Sequence, residues 1–500
     1  MGSVSKILSA SPVGFDGCLV EVESDITKGL PNFRVVGLAN KSIDEARERV
    51  RSAIVNSLLE FPSKRITVNL APAELPKEGT HYDLPIALAV LQSSGQLKSE
   101  DLPSSLFAGE LSLDGRIRPI ACAITVAETA KLNGIKTVFL PEENVAQASL
   151  VHGVQIIGVA SLKQLFLHLK KELLIEPSLA KKIDAPTHID IGLDDIEGQE
   201  QAKRAMIIAA AGRHNILLSG PPGSGKTMLG KVLVNLLPPL SSEEQLLVTK
   251  IHGLAGEHID TAVIKRPFRT PHHTASRTAL VGGGTHPKPG EISLAHLGVL
   301  FMDEIPEYPR SSLEVLRQPL EDRIITITRA SGRAHYPADF MLVATMNPCP
   351  CGHHGDERKE CSCTFQQISS YQSKLSGPLL DRIDLKITVK RVANDRLMHD
   401  KSMTYAQHFK VLESIKSATA IQNERYKSSV KYNSNLTNKE IKQTANIDSD
   451  ASKLLVAAAD KLGLSARSTF KVLKVARTIA DLEKSDRVTA AHVSEALQYR

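Results

Sequence analysis

The alternation of apolar and polar positions divides the chain into stretches of different rhythm. Residues 1–167 mix two periods: strand-like runs at Gly17–Glu23, Ile66–Leu70 and Lys136–Leu140, and helical patterns at Ser42–Ser57, Pro85–Ser94 and Ala121–Asn133. Residues 168–190 read as a linker. Across 191–392 short apolar strands alternate with helical patterns, as a parallel nucleotide-binding sheet requires. Three of those strands, Asn215–Ser219, Val299–Met302 and Phe340–Met346, are almost wholly apolar, the mark of a strand buried on both faces. From 393 to 500 the pattern is helical, most clearly over Ser465–Leu482 and Thr489–Tyr499. The expected fold class is α/β, with a parallel sheet, a helical C-terminal domain and a separate α+β domain in front.

Composition narrows this picture. Five hundred residues suit about three domains, and 42% hydrophobic content is ample for real cores. No apolar run approaches the roughly 18 residues that span a bilayer, and the N-terminus lacks a signal-peptide pattern, so a cytoplasmic protein with no membrane partner is expected. Six cysteines in such a chain argue for thiols or a metal site over disulfides. Net charge is +6; residues 401–500 carry 12 Lys and 5 Arg against 10 Asp plus Glu, so this stretch alone is +7. A basic module beside a near-neutral one suits a polyanion, although a solvated helical surface fits the charge equally. Aromatics are only 4%, which makes base-stacking platforms a poor guess and contacts to a charged backbone a better one.

The chemistry begins after the first apolar strand. Gly220-Pro221-Pro222-Gly223-Ser224-Gly225-Lys226-Thr227 matches G-x-x-x-x-G-K-[ST], the phosphate-cradling loop, with a strand before it and a helix after. Such a loop presents backbone N–H groups to a triphosphate, and glycines let the backbone approach without Cβ clashes. The helix starting near Lys226 adds its positive end. Lys226 is expected on the β/γ-phosphates of ATP and the Thr227 hydroxyl on Mg²⁺.

The second strand ends in Asp303-Glu304. At the end of a buried strand Asp303 would join the Mg²⁺ shell and Glu304 would polarise the attacking water. Many core strands end in an acid, so the pair gains its weight from following a phosphate loop. The third strand ends in Asn347, placed either to orient the same water or simply to form a turn.

These three elements in this order resemble the AAA+ ATPases, and within them the magnesium-chelatase-like branch that includes the ComM (YifB) family. The resemblance covers nearly the whole chain. Its specific motifs are Arg269-Thr270-Pro271-His272-His273-Thr274, Pro287-Lys288-Pro289-Gly290-Glu291-Ile292-Ser293-Leu294-Ala295-His296 and Ser376-Gly377-Pro378-Leu379-Leu380-Asp381-Arg382-Ile383-Asp384. It implies a homo-hexameric ring with ATP between neighbouring subunits. It also implies that Arg382 is an arginine finger supplied to the neighbour, the alternative being an ion pair with Asp381 or Asp384. Arg467, at the start of a C-terminal helix, would be the second-sensor arginine, the alternative being a solvated helix arginine.

Two inserts are candidates for touching a substrate. Residues 252–296 hold six histidines with Lys265, Arg266, Arg269 and Arg277 among them; the histidine spacing fits no standard metal site. In the family this insert projects toward the ring pore. Ile324–Tyr336 alternates about a Gly-containing tip and reads as a β-hairpin, where ring helicases of the clade carry a pore hairpin. Arg329 and Arg333 would then grip DNA phosphates without reading sequence; a plain solvated hairpin is the alternative.

Within residues 349–363, Cys349-Pro350-Cys351 and Cys361-Ser362-Cys363 form two thiol pairs. Together they can close a tetrahedral Zn²⁺ site and order a loop too small for a core, though C-x-C is tighter than the usual spacing. Cys18 and Cys122 read as core thiols.

Residues 1–167 resemble the proteolytic domain of Lon through Pro76-Lys77-Glu78-Gly79, Leu113–Ile120 and Gly134–Asn144. That family needs a Ser nucleophile after the first motif and a Lys after the second. Here stand Thr80-His81-Tyr82-Asp83 and Ala121-Cys122-Ala123-Ile124, so a non-catalytic Lon-like domain is expected. The resemblance therefore points to an ATP-driven hexameric motor on single-stranded or branched DNA that promotes branch migration during natural transformation. The alternatives are a chelatase-type motor remodelling a metal-insertion partner and, lacking its dyad, a Lon-like protease.

Overall fold

The computed structural model describes residues 4–37, 41–74, 77, 79–177, 190–257, 259, 261–284, 288–329, 332–356, 358–391 and 405–500. The chain folds as two compact units. The first gathers Met1–Asp184, Leu240–Ile264 and Thr326–Tyr336; the second gathers Ala185–Pro239, Lys265–Ile325 and Pro337–Arg500.

The first unit is built on a mixed seven-stranded sheet. Its strand order is Asn32–Val36, Arg65–Ala71, Asp16–Thr27, Ser5–Val13, Ser105–Phe107, Thr137–Pro141 and Gln155–Val159. Ser5–Val13 and Asp16–Thr27 pair antiparallel with Val13 opposite Asp16, leaving a two-residue turn in which Gly14 takes a positive φ of 62°. Val20, Val22, Val68 and Leu70 are fully buried beneath this sheet. Helix Asp83–Ser93 is buried from Asp83 to Leu91, matching its nearly unbroken apolar sequence. Helix Ser242–Ala255 joins this unit as well: Leu246 packs against its core and Lys250 Nζ bonds Glu128 Oε2 at 2.5 Å. So does most of the expected hairpin, which forms as strands Ile324–Arg329 and Gly332–Pro337.

The second unit holds an all-parallel five-stranded sheet in the order Phe268–Arg269, Val299–Met302, Met341–Met346, Ile216–Ser219 and Leu385–Thr388. The three central strands are the continuous apolar runs, and their inner residues are at most a few per cent exposed. Helix Lys226–Leu236 lies close on the sheet because Gly230 has no side chain: a Cβ there would come within 2.3 Å of the Phe301 ring. Helices Ala406–Tyr426, Ser449–Leu462, Ala466–Leu482 and Ala490–Leu497 complete the unit. Arg477, wholly buried, anchors them by donating to the carbonyls of Ala445 and Asp486 and to Asp481. Among the described residues no helix is long and apolar enough to cross a membrane.

Candidate active site

The glycine-rich loop leaves strand Ile216–Ser219 and enters helix Lys226–Leu236 through Gly225 in the left-handed region, φ 83°. Gly220 is required for a different reason: a Cβ there would lie 2.2 Å from the Val389 carbonyl oxygen. Lys226 Nζ is folded back on the loop, donating to Gly220 O at 2.6 Å, Pro221 O at 2.9 Å and Asn347 Oδ1 at 3.3 Å. Burial pushes this ammonium below its ordinary value, with Asp303 and Glu304 pulling the other way.

Three strand ends meet beside that lysine. Thr227 Oγ1 donates to Asp303 Oδ2 at 3.2 Å, and Thr345 Oγ1 donates to Asp303 Oδ1 at 2.5 Å. The same Thr345 oxygen accepts from the Glu304 N–H at 2.9 Å, and Asn347 Nδ2 donates to Glu304 Oε1 at 3.3 Å. Asp303 and Glu304 are exposed. Glu304 sits in the left-handed region at φ 49°, a strain of the kind stored at functional sites, and this turn brings its carboxylate to Asn347. Thr345 drew no notice in the sequence; its signal was a lone hydroxyl within an apolar strand. Charge-assisted bonds such as its link to Asp303 are worth about 1.5–3 kcal/mol each.

Thr227 and Asp303 present hard oxygen donors side by side, a set that fits Mg²⁺. A cavity of about 390 Å³ adjoins the loop, lined by Pro222–Gly225 with Ile196, Gln199, Met228, Arg358 and Arg391. A wider one of about 880 Å³ opens on Glu304, Asn347, His273, Tyr371 and Lys374. The arrangement can hold a polyphosphate at its cation and loop, and hold water against a carboxylate at its far end.

Arg382 and Arg467 lie elsewhere. They border a separate cavity of about 460 Å³ with Arg323, Lys471 and Lys474, and both engage Glu321: Arg382 through a hydrogen bond and Arg467 Nη2 at 3.6 Å. Arg382 bonds Glu321 and the Pro378 carbonyl in place of Asp381 or Asp384, the acids expected from the sequence as alternative partners; Asp384 is taken by His214 and the Asn215 N–H.

The remaining basic positions divide. Arg266 is 8% exposed and its guanidinium is spent on the carbonyls of Pro238, Pro239 and Leu297. Arg269 forms a two-pronged pair with Glu291, at 2.7 and 2.9 Å, which ties the first family motif to the second. Lys265 is exposed, 3.7 Å from Asp190. Arg333 is exposed on the hairpin; Arg329 ends the other strand, and the tip at 330–331 lies outside the described residues, as do His258 and His286.

Cys349, Cys351, Cys361 and Cys363 converge, their sulfurs all within 4.8 Å of one another. The closest sulfur pairs, at 3.3, 3.6 and 3.7 Å, are near the roughly 3.8 Å edge that a tetrahedron with 2.3 Å metal–sulfur bonds would have. Backbone N–H groups of Cys351 and His354 donate to Cys363 and Cys349, the outer-shell support that thiolate ligands use. The backbone N–H of His353 lowers the Cys351 thiol, while Cys361 and Cys363 are held above the ordinary thiol value by burial and by the neighbouring thiols. This donor set fits zinc.

Comparison with known proteins agrees along the whole chain. Residues 192–397 match the family "Magnesium chelatase, subunit ChlI", residues 22–144 match "Subunit ChlI of Mg-chelatase", and residues 407–500 match its C-terminal part. The competence protein ComM of Haemophilus influenzae is 42% identical over 508 residues, covering 100% of this chain and 97% of its own. The YifB protein of Escherichia coli is also 42% identical, over 505 residues with the same coverage. A relative from Mycobacterium tuberculosis is 39% identical, covering 100% of this chain and 99% of its own.

Proposed function

The chain belongs to the ComM/YifB family of magnesium-chelatase-like ATPases, and from that premise we propose that it is an ATP-driven homo-hexameric motor acting on DNA, promoting branch migration of recombination intermediates in natural transformation. One observation carries the ATPase part: Thr227, Asp303, Thr345, Glu304 and Asn347 form one continuous hydrogen-bonded chain beside the Lys226 ammonium. ATP would displace the carbonyls now held by Lys226 and lay its phosphates along Gly220–Gly225. Mg²⁺, held by Thr227 and Asp303, would neutralise charge building on the phosphates. Glu304, steered by Asn347, accepts the proton of the attacking water. Arg382, outside this cluster, serves a neighbouring subunit's triphosphate as an arginine finger, and Arg467 is the second-sensor arginine. Zinc on the four cysteines holds the loop 349–363.

The DNA part rests on the full-length likeness to a competence protein and on the basic surface. Arg333 and Lys265 are the contacts we propose, with Arg329 on the facing strand. Arg266 and Arg269 are left out because their guanidinium groups are engaged internally. The test is ATP hydrolysis with and without forked and four-way DNA at moderate salt. Stimulation severalfold, lost as salt rises, is expected. If branched DNA neither binds nor accelerates turnover, the chelatase-type motor acting on a protein partner replaces this reading.

A further inference from the structure

The four-cysteine loop touches the nucleotide site at several points. It starts two residues beyond Asn347. Gly352, at φ 82°, packs so tightly on the phosphate loop that a Cβ there would sit 2.7 Å from Pro222 Cδ. The side chain of Asp356, in its middle, is 4% exposed; it accepts from the Arg358 N–H at 3.1 Å, contacts His353 Nδ1 at 3.3 Å and pairs with Arg391 Nη2 at 3.3 Å. Arg358 and Arg391 are the two cations lining the 390 Å³ cavity alongside Pro222–Gly225. A loop of this size has no core of its own, so the position of Asp356, and through it of Arg391, depends on what ties the sulfurs together.

We propose that the metal-bound cysteine loop is a wall of the nucleotide site: zinc on Cys349, Cys351, Cys361 and Cys363 fixes Gly352 against the phosphate loop and Asp356 on Arg391, and Arg358 and Arg391 bind the anionic part of the nucleotide. Nucleotide affinity is then coupled to metal occupancy. Asp356 is a positioning residue, acting through Arg391. The proposal rests on the phosphate-loop reading above, and its test separates the two.

The measurement is binding of a fluorescent ADP to the full-length protein, with zinc content determined by metal analysis. The zinc-loaded protein should bind. Removing the metal with a chelator should weaken binding tenfold or more while far-UV circular dichroism stays unchanged, and restoring zinc should recover it. Arg358→Ala and Arg391→Ala, which leave every sulfur in place, should each weaken binding about tenfold, the worth of one charge-assisted bond, with one zinc retained. Asp356→Ala should follow Arg391→Ala, and combining the two should add little. Affinity unchanged in the chelated protein, or in both arginine variants, overturns the proposal. If the zinc-loaded, unsubstituted protein binds no ADP, the phosphate-loop reading itself fails.

Discussion

Each unit carries a knot of polar side chains, and the two knots are built in opposite ways. In the second unit Thr227, Asp303 and Glu304 are exposed; Thr227 bonds Asp303, Thr345 bridges Asp303 to Glu304, and Glu304 opens on a cavity. In the first, Lys77, His81 and Asp83 are at most 5% exposed. Lys77 donates to the Pro72 carbonyl, and Asp83 takes two bonds from Arg49, at 2.7 and 3.1 Å, and a third from the Leu111 N–H at 3.2 Å. Thr80, the hydroxyl nearest the expected Lon-like nucleophile position, is spent on Glu110. The contrast teaches that polar residues clustered at element ends mark chemistry only when solvent can reach them. Sealed from water, they hold the fold: Lys77 and Asp83 have their partners inside, and His81 Nε2 is buried with no hydrogen-bond partner among the described residues.

The comparison breaks first at Glu304. Glu304→Gln keeps the side chain's shape and its bond to Asn347 but removes the proposed base. Hydrolysis should fall at least a thousandfold while fluorescent-nucleotide binding stays within about twofold. Turnover retained in this variant would take the proton-accepting role from Glu304. No substitution at Lys77, His81 or Thr80 should approach that effect.

Arg382 comes next, as the arginine finger proposed above to complete a neighbour's open knot. Arg382→Ala should lower turnover roughly a thousandfold, the scale of arginine fingers in related phosphoryl transfers. Within one chain this arginine is bound to Glu321, in a cavity apart from the phosphate loop. Mixing Arg382→Ala with Lys226→Ala protein should therefore restore activity, since some interfaces would pair an intact loop with an intact arginine. An inactive mixture would place Arg382 outside the neighbour's site.

What the sequence disclosed follows the same division. The phosphate loop, the acid pair and Asn347 are short local patterns fixed by strand ends, and the continuous apolar runs foretold the parallel strands. Hidden were features set by long-range packing. Nothing local shows that residues 240–264 and 326–336 join the first unit. Nor does a sequence separate Arg266, buried among three carbonyls, from Lys265 beside it, which is exposed. Glu321 and Thr345 act through partners tens of residues away or on another strand, and no spacing rule finds them.

On the sealed side, Asp83→Ala should destabilise the first unit by about 3 kcal/mol, because Arg49 would keep its charge in a mostly buried position without a counter-ion. Burial lifts the Asp83 carboxyl to about 6 while Arg49 is held charged by it; the two-pronged geometry keeps the pair ionised at neutral pH. Differential scanning calorimetry should show the loss in the first unit's transition, with the hydrolysis rate of folded protein unchanged. A fall in the rate itself would join the two knots in one function.

An effect of similar size, spread over a pH window, is the most diagnostic of sealing. Burial lowers His81 to about 4 from its ordinary 6.5, so the folded state holds this ring neutral while the unfolded chain protonates it first. Its contribution is fully present above pH 6.5 and is lost as pH falls through the folded value, a span worth about 3 kcal/mol. Asp83 works in reverse: raised above the unfolded value, its carboxyl gains stability on acidification below about pH 6. The two slopes oppose each other in one window, so the unsubstituted protein should look deceptively flat between pH 6.5 and 4. Replacing His81 with Asn removes one slope and exposes the other. The stability difference between the two proteins, measured by urea unfolding at each pH, should shift in favour of the variant by about 3 kcal/mol across that window. A difference that does not change with pH would mean that water reaches His81, and the distinction between a sealed knot and an open one would no longer hold for the first unit.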